Sequence, residues 1–397
     1  QPAFVHGRGR LQMHAKQDIR VAVAHEHFPQ HGGGEHVAEE LARTFDAPIY
    51  TGFANEGVPA DDVLVHDLFG SGLLGNLIKG EDKWNIFFRD LYYMTHWDHV
   101  SELHDYDVIV QSGNNPGWYV PREEQTIVKY VHTPPRNPFD RHPEFADSLS
   151  HTVFAHIVRT LYGQTVSYPD LYIANSELVA RRCEQYFGVD RDEVEVVYPP
   201  VDVDSYGRNE RGTVEGVGTD DYYFTFSRLF PGKHIDVIVR AFDHLGDDYH
   251  LVVGGDGPER DRLEAMAGDN VTFLGYVSEA DKRTLCATAK AGIFAAQNED
   301  FGMVPIEFFA SGTPVIGVED GYTKYQVADG KNGYTFQRSP TTLAEAVRRF
   351  EADGVAWSDA EVEEFAERFS TEEFRRRMRE LVAETRDRTT IRTAWSD

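Results

Sequence analysis

At 397 residues, 41% of them hydrophobic, the chain is long enough for two domains with separate cores. Its 66 Asp+Glu against 39 Lys+Arg leave a formal net charge of -27, spread along the whole length, with no basic stripe to suit a nucleic-acid backbone. No apolar run approaches the roughly 18 residues needed to span a bilayer, so any membrane contact is expected to be peripheral.

Acidity this uniform, with arginine favoured over lysine, reads as adaptation to a high-salt cytoplasm. In dilute salt the chain should repel itself, whereas molar salt shortens the screening length to about 3 Å. Cys183 and Cys286 lie far apart without a partner motif, which fits a reducing cytosolic compartment and no disulfide framework.

Residues 1–18 read as a disordered extension. A buried-strand run at 19–24, a helix at 35–44 and a short apolar piece at 48–50 make a β-α-β opening. Between that strand and its helix stands Gly32-Gly33-Gly34-Glu35, where small residues let a ligand approach the backbone and the helix amides. It is not the dinucleotide fingerprint, because Val37 occupies the place of the third glycine. His25-Glu26-His27, with His31 and His36 nearby, could bind a divalent ion at the strand end, so a metal-dependent hydrolase built on the His25/His27 cluster is a second enzyme class. Against it, no matching Asp and His ligands follow at later strand ends.

The segment 68–97 is rich in aromatic and leucine residues and carries Lys79, Lys83 and Arg89. It reads as helical core of the first domain, or as an amphipathic, partly basic surface for a lipid-linked acceptor. Strand runs at 108–110, 126–131, 171–174 and 194–197, with a helix at 177–187, complete a first domain over 19–198. His132 falls at one strand end, followed by Thr133-Pro134-Pro135-Arg136. Two prolines make a rigid loop that would hold His and Arg over a cleft, although a lone histidine also serves as a structural residue.

Pro199-Pro200 opens a linker over 199–221. A second α/β series occupies 222–375, with strands at 222–226, 250–253, 271–273, 292–296 and 314–317 and helices near 235–245, 259–267, 279–290 and 304–310. Ser370 with Glu373 makes a helix start, and 376–397 reads as a C-terminal helix and tail. Two doubly wound domains facing a cleft are the expected architecture. Arg228 and Lys233 follow the first strand of the second domain, a local cationic pair suited to a diphosphate in an otherwise repelling chain. Gly255-Asp256-Gly257-Pro258-Glu259-Arg260 again misses the fingerprint and reads as a tight turn.

Glu299 and Glu307 stand on either side of a glycine turn with seven residues between them. Pro305 suits the first helical turn, which puts Glu307 on that turn and Glu299 in the loop before it, with the amides of Gly302, Met303 and Val304 turned toward a ligand. A diphosphate on the amides and hydroxyl-rich groups on the carboxylates together describe a sugar nucleotide. Glutamate as a simple partner of a helix dipole is the plainer alternative.

Taken together, Phe226-Ser227-Arg228-Leu229 with Lys233, Gly254 to Glu259, Phe273-Leu274-Gly275-Tyr276-Val277 and the Glu299 to Glu307 segment resemble the retaining glycosyltransferases of family 4. The resemblance runs from residue 19 to about 381 and is strongest over 223–336. It implies an α/β GT-B fold of two Rossmann-like domains and a metal-independent hexosyltransferase without a cofactor. It also implies donor contacts: Glu299 with the sugar, Glu307 with the ribose, Arg228 and Lys233 with the diphosphate. The amides of Gly302, Met303 and Val304 and the glycine turn at Gly33 would assist them, with backbone near Val277 at the base. His132 corresponds to a histidine that contacts the transferred sugar, and its His-Thr-Pro-x-Arg setting is similar to that of GDP-mannose-dependent mannosyltransferases. GDP-mannose is therefore the favoured donor, and a glycan or lipid-linked molecule in cell-surface polysaccharide or glycoprotein assembly the expected acceptor. A catalytically silent sugar-nucleotide-binding subunit would share these features. Where relatives carry a small glycine-rich turn and a Glu, this chain has the bulkier Gly321-Tyr322-Thr323-Lys324-Tyr325-Gln326, with Gln326 near the Glu position.

Overall fold

A computed structural model describes residues 19–80, 83–136, 139, 149–218 and 221–394. The expectation for 1–18 lies outside them. Two parallel sheets organise the chain. The first has strands β1 (Val21–His25), β2 (Ile49–Thr51), β3 (Val65–Asp67), β4 (Val108–Ser112), β5 (Thr126–Val131), β6 (Leu171–Ala174) and β7 (Val194–Val196) in the order β3-β2-β1-β4-β5-β6-β7. The second has β8 (Tyr222–Phe226), β9 (His250–Gly254), β10 (Val271–Gly275), β11 (Gly292–Phe294), β12 (Val315–Val318) and β13 (Gly333–Phe336) in the order β10-β9-β8-β11-β12-β13.

Alternate residues of a strand face opposite sides of its sheet, and the cores divide accordingly. Val23 packs with the helix Gly33–Phe45 through Val37 and Leu41, while Ala22 and Ala24 pack with Tyr93 and Trp97 on the other face. Tyr222 and Phe224 likewise face one core of the second sheet and Tyr223 the other. Helices on both faces of a parallel sheet make each unit a doubly wound Rossmann-like domain, and the two form the expected GT-B architecture.

Several elements depart from expectation. β3 and β13, both at sheet edges, lie where no strand was expected. Ala295 and Ala296 are buried but leave the ladder after Phe294, and the Ala295 carbonyl instead accepts from Arg338 Nε at 3.2 Å. The stretch expected as linker packs on the second domain: Val201 and Val203 join its core, and Arg208 and Arg211 both donate to the Ala287 carbonyl. In the 68–97 segment the helices are Gly72–Ile78 and Lys83–His96, with Ile78, Tyr93 and Trp97 buried and Leu77, Phe88 and Leu91 exposed.

The expected cap at Ser370 forms, its Oγ accepting from the Glu373 amide at 3.2 Å. The helix it opens, Thr371–Ala394, crosses back to the first domain, where Phe374, Met378, Leu381 and Val382 enter the same core as Val23. Among the described residues no helix is long and apolar enough to cross a membrane.

Candidate active site

Strand order reverses between β1 and β4 in the first sheet and between β8 and β11 in the second. Ligands of open α/β sheets bind beyond the strand C-termini at such switch points. His25 ends β1 and Ser112 ends β4; Arg228 and Lys233 follow β8, and Glu299 follows β11.

Lys233 closes the short turn Pro231–Lys233, and its Nζ donates to Glu299 Oε1. The two side chains are only about a third and a quarter exposed. Glu299 is itself braced, since its carbonyl accepts from the Tyr322 amide at 2.8 Å. Gly321 has a φ of 55°, and a Cβ there would come within 2.5 Å of that carbonyl, so the bulky turn must begin with glycine. Arg228 is exposed, with its guanidinium 5.3 Å from the Phe230 ring centroid, and among the described residues it has no ion pair. It lies close to Glu35, whose carboxyl burial raises, with the Glu35 amide and Arg228 opposing that rise only in part.

The helix carrying Glu307 is Met303–Ala310. It begins two residues before Pro305, so Glu307 stands at the fifth helical position and not on the first turn. Proline is tolerated at the third position because the first amides of a helix have no internal acceptor. Gly302 caps the helix start with a φ of 81°, and the buried Gln326 donates Nε2–H to its carbonyl at 3.1 Å. Gln326 thus braces the amides of Gly302, Met303 and Val304. A Cβ on Gly33 would come within 3.2 Å of Met303 Cε, so the first domain's glycine turn meets this helix start directly.

Glu307 Oε1 accepts from Tyr206 and from Lys282, each at 3.0 Å. Burial disfavours the Lys282 ammonium, but Glu307 and Glu279 outweigh it and raise its pKa. Both contacts fall on one oxygen of Glu307, and among the described residues no hydrogen bond falls on Oε2. Val277, placed at the base by resemblance, is half-buried beyond β10, its Cγ2 3.0 Å from where a Cβ on Gly254 would lie. The glycines at 255 and 257 answer to packing: a Cβ on either would strike the backbone of Ser227 or Leu229.

Arg136 and the first-domain Arg182 reach across to Asp300. Arg136 Nη2 lies 2.9 Å from Asp300 Oδ2, and Arg182 donates to Asp300 Oδ1 and Asn298 Oδ1. The Ser176 hydroxyl donates to the Asp300 carbonyl at 2.5 Å. The loop that carries Glu299 is therefore bolted to the first domain. Arg136 was expected over the cleft beside His132; its partner Asp300 and the second arginine on that carboxylate, Arg182, carried no such expectation.

His132 is half-buried, with Nε2 2.8 Å from Ser112 Oγ, and Ser112 Oγ lies 3.0 Å from His25 Nδ1. His25 and His27 do not converge on one point: His25 is spent on Ser112, and His27 stacks on Phe53 at 5.1 Å between centroids. Among the described residues no three His, Cys, Asp or Glu side chains cluster as metal ligands.

Burial lowers all three imidazoles, His25 well below its ordinary value, His27 to about 3 and His132 to about 4. Unfolding releases them to about 6.5, so the unfolded chain binds more protons between these values. Their contribution to stability is complete above about pH 6.5 and is lost as the pH falls toward 4. For His132 alone the loss by pH 5 amounts to about 2 kcal/mol. His132→Gln should flatten the decline of Tm between pH 7 and pH 5, as measured by differential scanning fluorimetry; an unaltered decline would contradict the burial of a neutral ring.

Residues 31–205 match the family described as Glycosyltransferase Family 4, and residues 209–374 match that described as Glycosyl transferases group 1. A D-inositol 3-phosphate glycosyltransferase of Mycolicibacterium smegmatis is 31% identical over 183 residues, 43% of this chain and 42% of its own. One from a Nocardioides species is 29% identical over 214 residues, 47% of each. The chain thus spans less than half the length of these relatives. Among solved structures, a Thermosynechococcus elongatus sucrose-phosphate synthase superposes with a TM-score of 0.71 at 16% identity, over 92% of this chain and 98% of that one. The Anabaena protein HepE in complex with UDP superposes with a TM-score of 0.68 at 17% identity, over 92% of this chain and 100% of that one.

Proposed function

We propose that this chain, a Family 4 glycosyltransferase domain followed by a group 1 glycosyl transferase domain in the GT-B fold, is a retaining hexosyltransferase. It moves a hexose, mannose in first place, from a nucleoside-diphosphate sugar to a hydroxyl of a glycan or lipid-linked acceptor. The observation that carries this reading is the Lys233–Glu299 pair at the second switch point, beside a helix start that faces Gly33. That arrangement offers cation and amides to a diphosphate and a carboxylate to sugar hydroxyls.

In the reaction, the bond between the sugar's anomeric carbon and the diphosphate oxygen breaks, and the acceptor oxygen bonds to that carbon from the same face. The acceptor's proton passes to the departing phosphate. Charge develops on the leaving oxygen, where Lys233, Arg228 and the amides of 302–304 stabilise it without metal. Glu299 holds Lys233 in place until the donor arrives, then turns to the sugar. Glu299→Gln should change the ranking of donor sugars; transfer unaltered with every donor would contradict that contact.

Glu307 binds the ribose through its remaining oxygen. Lys282→Met removes its counter-charge and should raise the donor Kd roughly 10–100-fold, a charged hydrogen bond being worth about 1.5–3 kcal/mol, with kcat nearly constant. Titration calorimetry with the parent nucleoside diphosphate reads this directly; an unchanged Kd would place the ribose elsewhere.

The protein acts in a salt-rich, reducing cytoplasm, with any membrane contact peripheral. Its net charge of -27 supports the salt requirement. Melting in molar potassium chloride with chelator, against GDP-mannose, UDP-glucose, UDP-N-acetylglucosamine and their diphosphates, tests the donor site. Stabilisation by GDP and GDP-mannose, reaching about 2.7 kcal/mol at 100 times Kd, is expected. A response confined to UDP compounds would overturn the choice of base, and no response at all would overturn the donor site. HepE has been solved with UDP-glucose, which makes the uridine arm the relevant contrast.

A further inference from the structure

We propose that Ser112 is a positioning residue that holds the His132 imidazole in a single neutral tautomer, with His25 as the far end of the relay; the catalytic consequence rests on the transferase reading above. His25, Ser112 and Tyr130 are register partners on β1, β4 and β5, the three adjacent strands at the centre of the first sheet, and His132 lies two residues beyond Tyr130. Ser112 is fully buried and His25 nearly so, so the hydroxyl that joins the two rings is shielded from water.

A hydroxyl has one proton and two lone pairs. If Ser112 gives its proton to His25 Nδ1, His132 must keep its own proton on Nε2 and present a bare Nδ1. If Ser112 gives the proton to His132 Nε2, that ring must carry N–H at Nδ1. The hydroxyl alone permits both, so the tautomer of the buried His25 decides which one holds: a bare Nδ1 on His25 requires a bare Nδ1 on His132, and the nitrogen left for a ligand then has one role. An imidazole free of the hydroxyl would exchange between the two and be correctly set for only part of the time.

The backbone around the relay is fixed independently of it. The Glu26 carboxylate accepts from the amides of Asn114 and Asn115. Gly113 has a φ of 98°, and a Cβ there would come within 2.5 Å of Glu26 Cγ. Asn175 Nδ2 donates to the His132 carbonyl at 2.8 Å and Asn114 Nδ2 to the Thr133 carbonyl at 3.0 Å. Removing the Ser112 hydroxyl therefore frees the ring and leaves its main chain in place. The His25-Glu26-His27 segment, which suggested metal from its spacing, holds His132 through His25 and the neighbouring loop through Glu26.

Two-bond nitrogen–proton spectra of histidine-labelled protein, with His132 assigned through His132→Gln, read the tautomer without reference to activity. The wild type should show one protonated and one bare nitrogen, and Ser112→Ala an average of the two forms. With the favoured donor, Ser112→Ala should lower kcat roughly 10–100-fold, the range seen when partners that orient metal-bound histidines are removed, while the donor KM stays within about two-fold. Ser112→Thr, which keeps the hydroxyl, should restore both the spectrum and kcat. An unmixed His132 tautomer with wild-type kcat in Ser112→Ala would overturn the relay. A mixed tautomer in the variant, alongside a wild type that turns over no donor, would support the relay and overturn the transferase reading instead.

Discussion

Lys233→Ala is expected to lower kcat for hexose transfer roughly 10²–10³-fold, the cost of removing one preorganised donor from a developing oxyanion, with a much smaller change in donor KM. The charge on the leaving diphosphate grows as the glycosidic bond breaks, so the ammonium stabilises the transition state more than the bound donor. That ammonium rests on Glu299. Its loss therefore also leaves a partly buried carboxylate without its cation, and Lys233→Arg separates the two effects by keeping the charge. Steady-state kinetics with the favoured donor decide the matter: unchanged kcat with a raised KM would assign Lys233 to ground-state binding alone.

Asp300→Ala should destabilise the protein by about 3 kcal/mol, because Arg136 and Arg182, both on the first domain, would then lose the carboxylate they share across the cleft. The Asp300 side chain is only 16% exposed, so solvent cannot replace it fully. A fall in Tm together with a larger radius of gyration by X-ray scattering is expected, as the loop bearing Glu299 is released from the first domain. Asp300→Asn, which keeps part of the hydrogen bonding, should lie between. Unchanged melting and scattering would mean that closure depends on other contacts, such as that of Glu177 with Tyr322.

The central strands were legible because parallel strands covered on both faces read as apolar runs, as at Val108-Ile109-Val110 and, around the buried Lys129, from Ile127 to Val131. β3 was not, since Val65-His66-Asp67 is a short edge strand with only partial burial and polar residues in two of its three positions. β13, Gly-Tyr-Thr-Phe, is one residue longer and begins with glycine. Cationic and acidic groups at strand ends could be picked out, because a strand terminus in an α/β chain is itself a positional signal. Their partners could not. Tyr206 lies 101 residues from Glu307 and Arg182 lies 118 from Asp300, and no local pattern announces such a meeting. Ser112 carried one faint signal, a polar residue closing an apolar strand ahead of Gly113.

Release of nucleoside diphosphate from GDP-mannose, followed in molar potassium chloride with chelator and with Lys233→Ala as the background, tests hexose transfer at the Lys233–Glu299 site most directly. The wild type should release GDP well above that background, slowly to water and faster once a hydroxyl acceptor is supplied. Release no greater than that of Lys233→Ala, from GDP-mannose and from the two uridine donors alike, would contradict it.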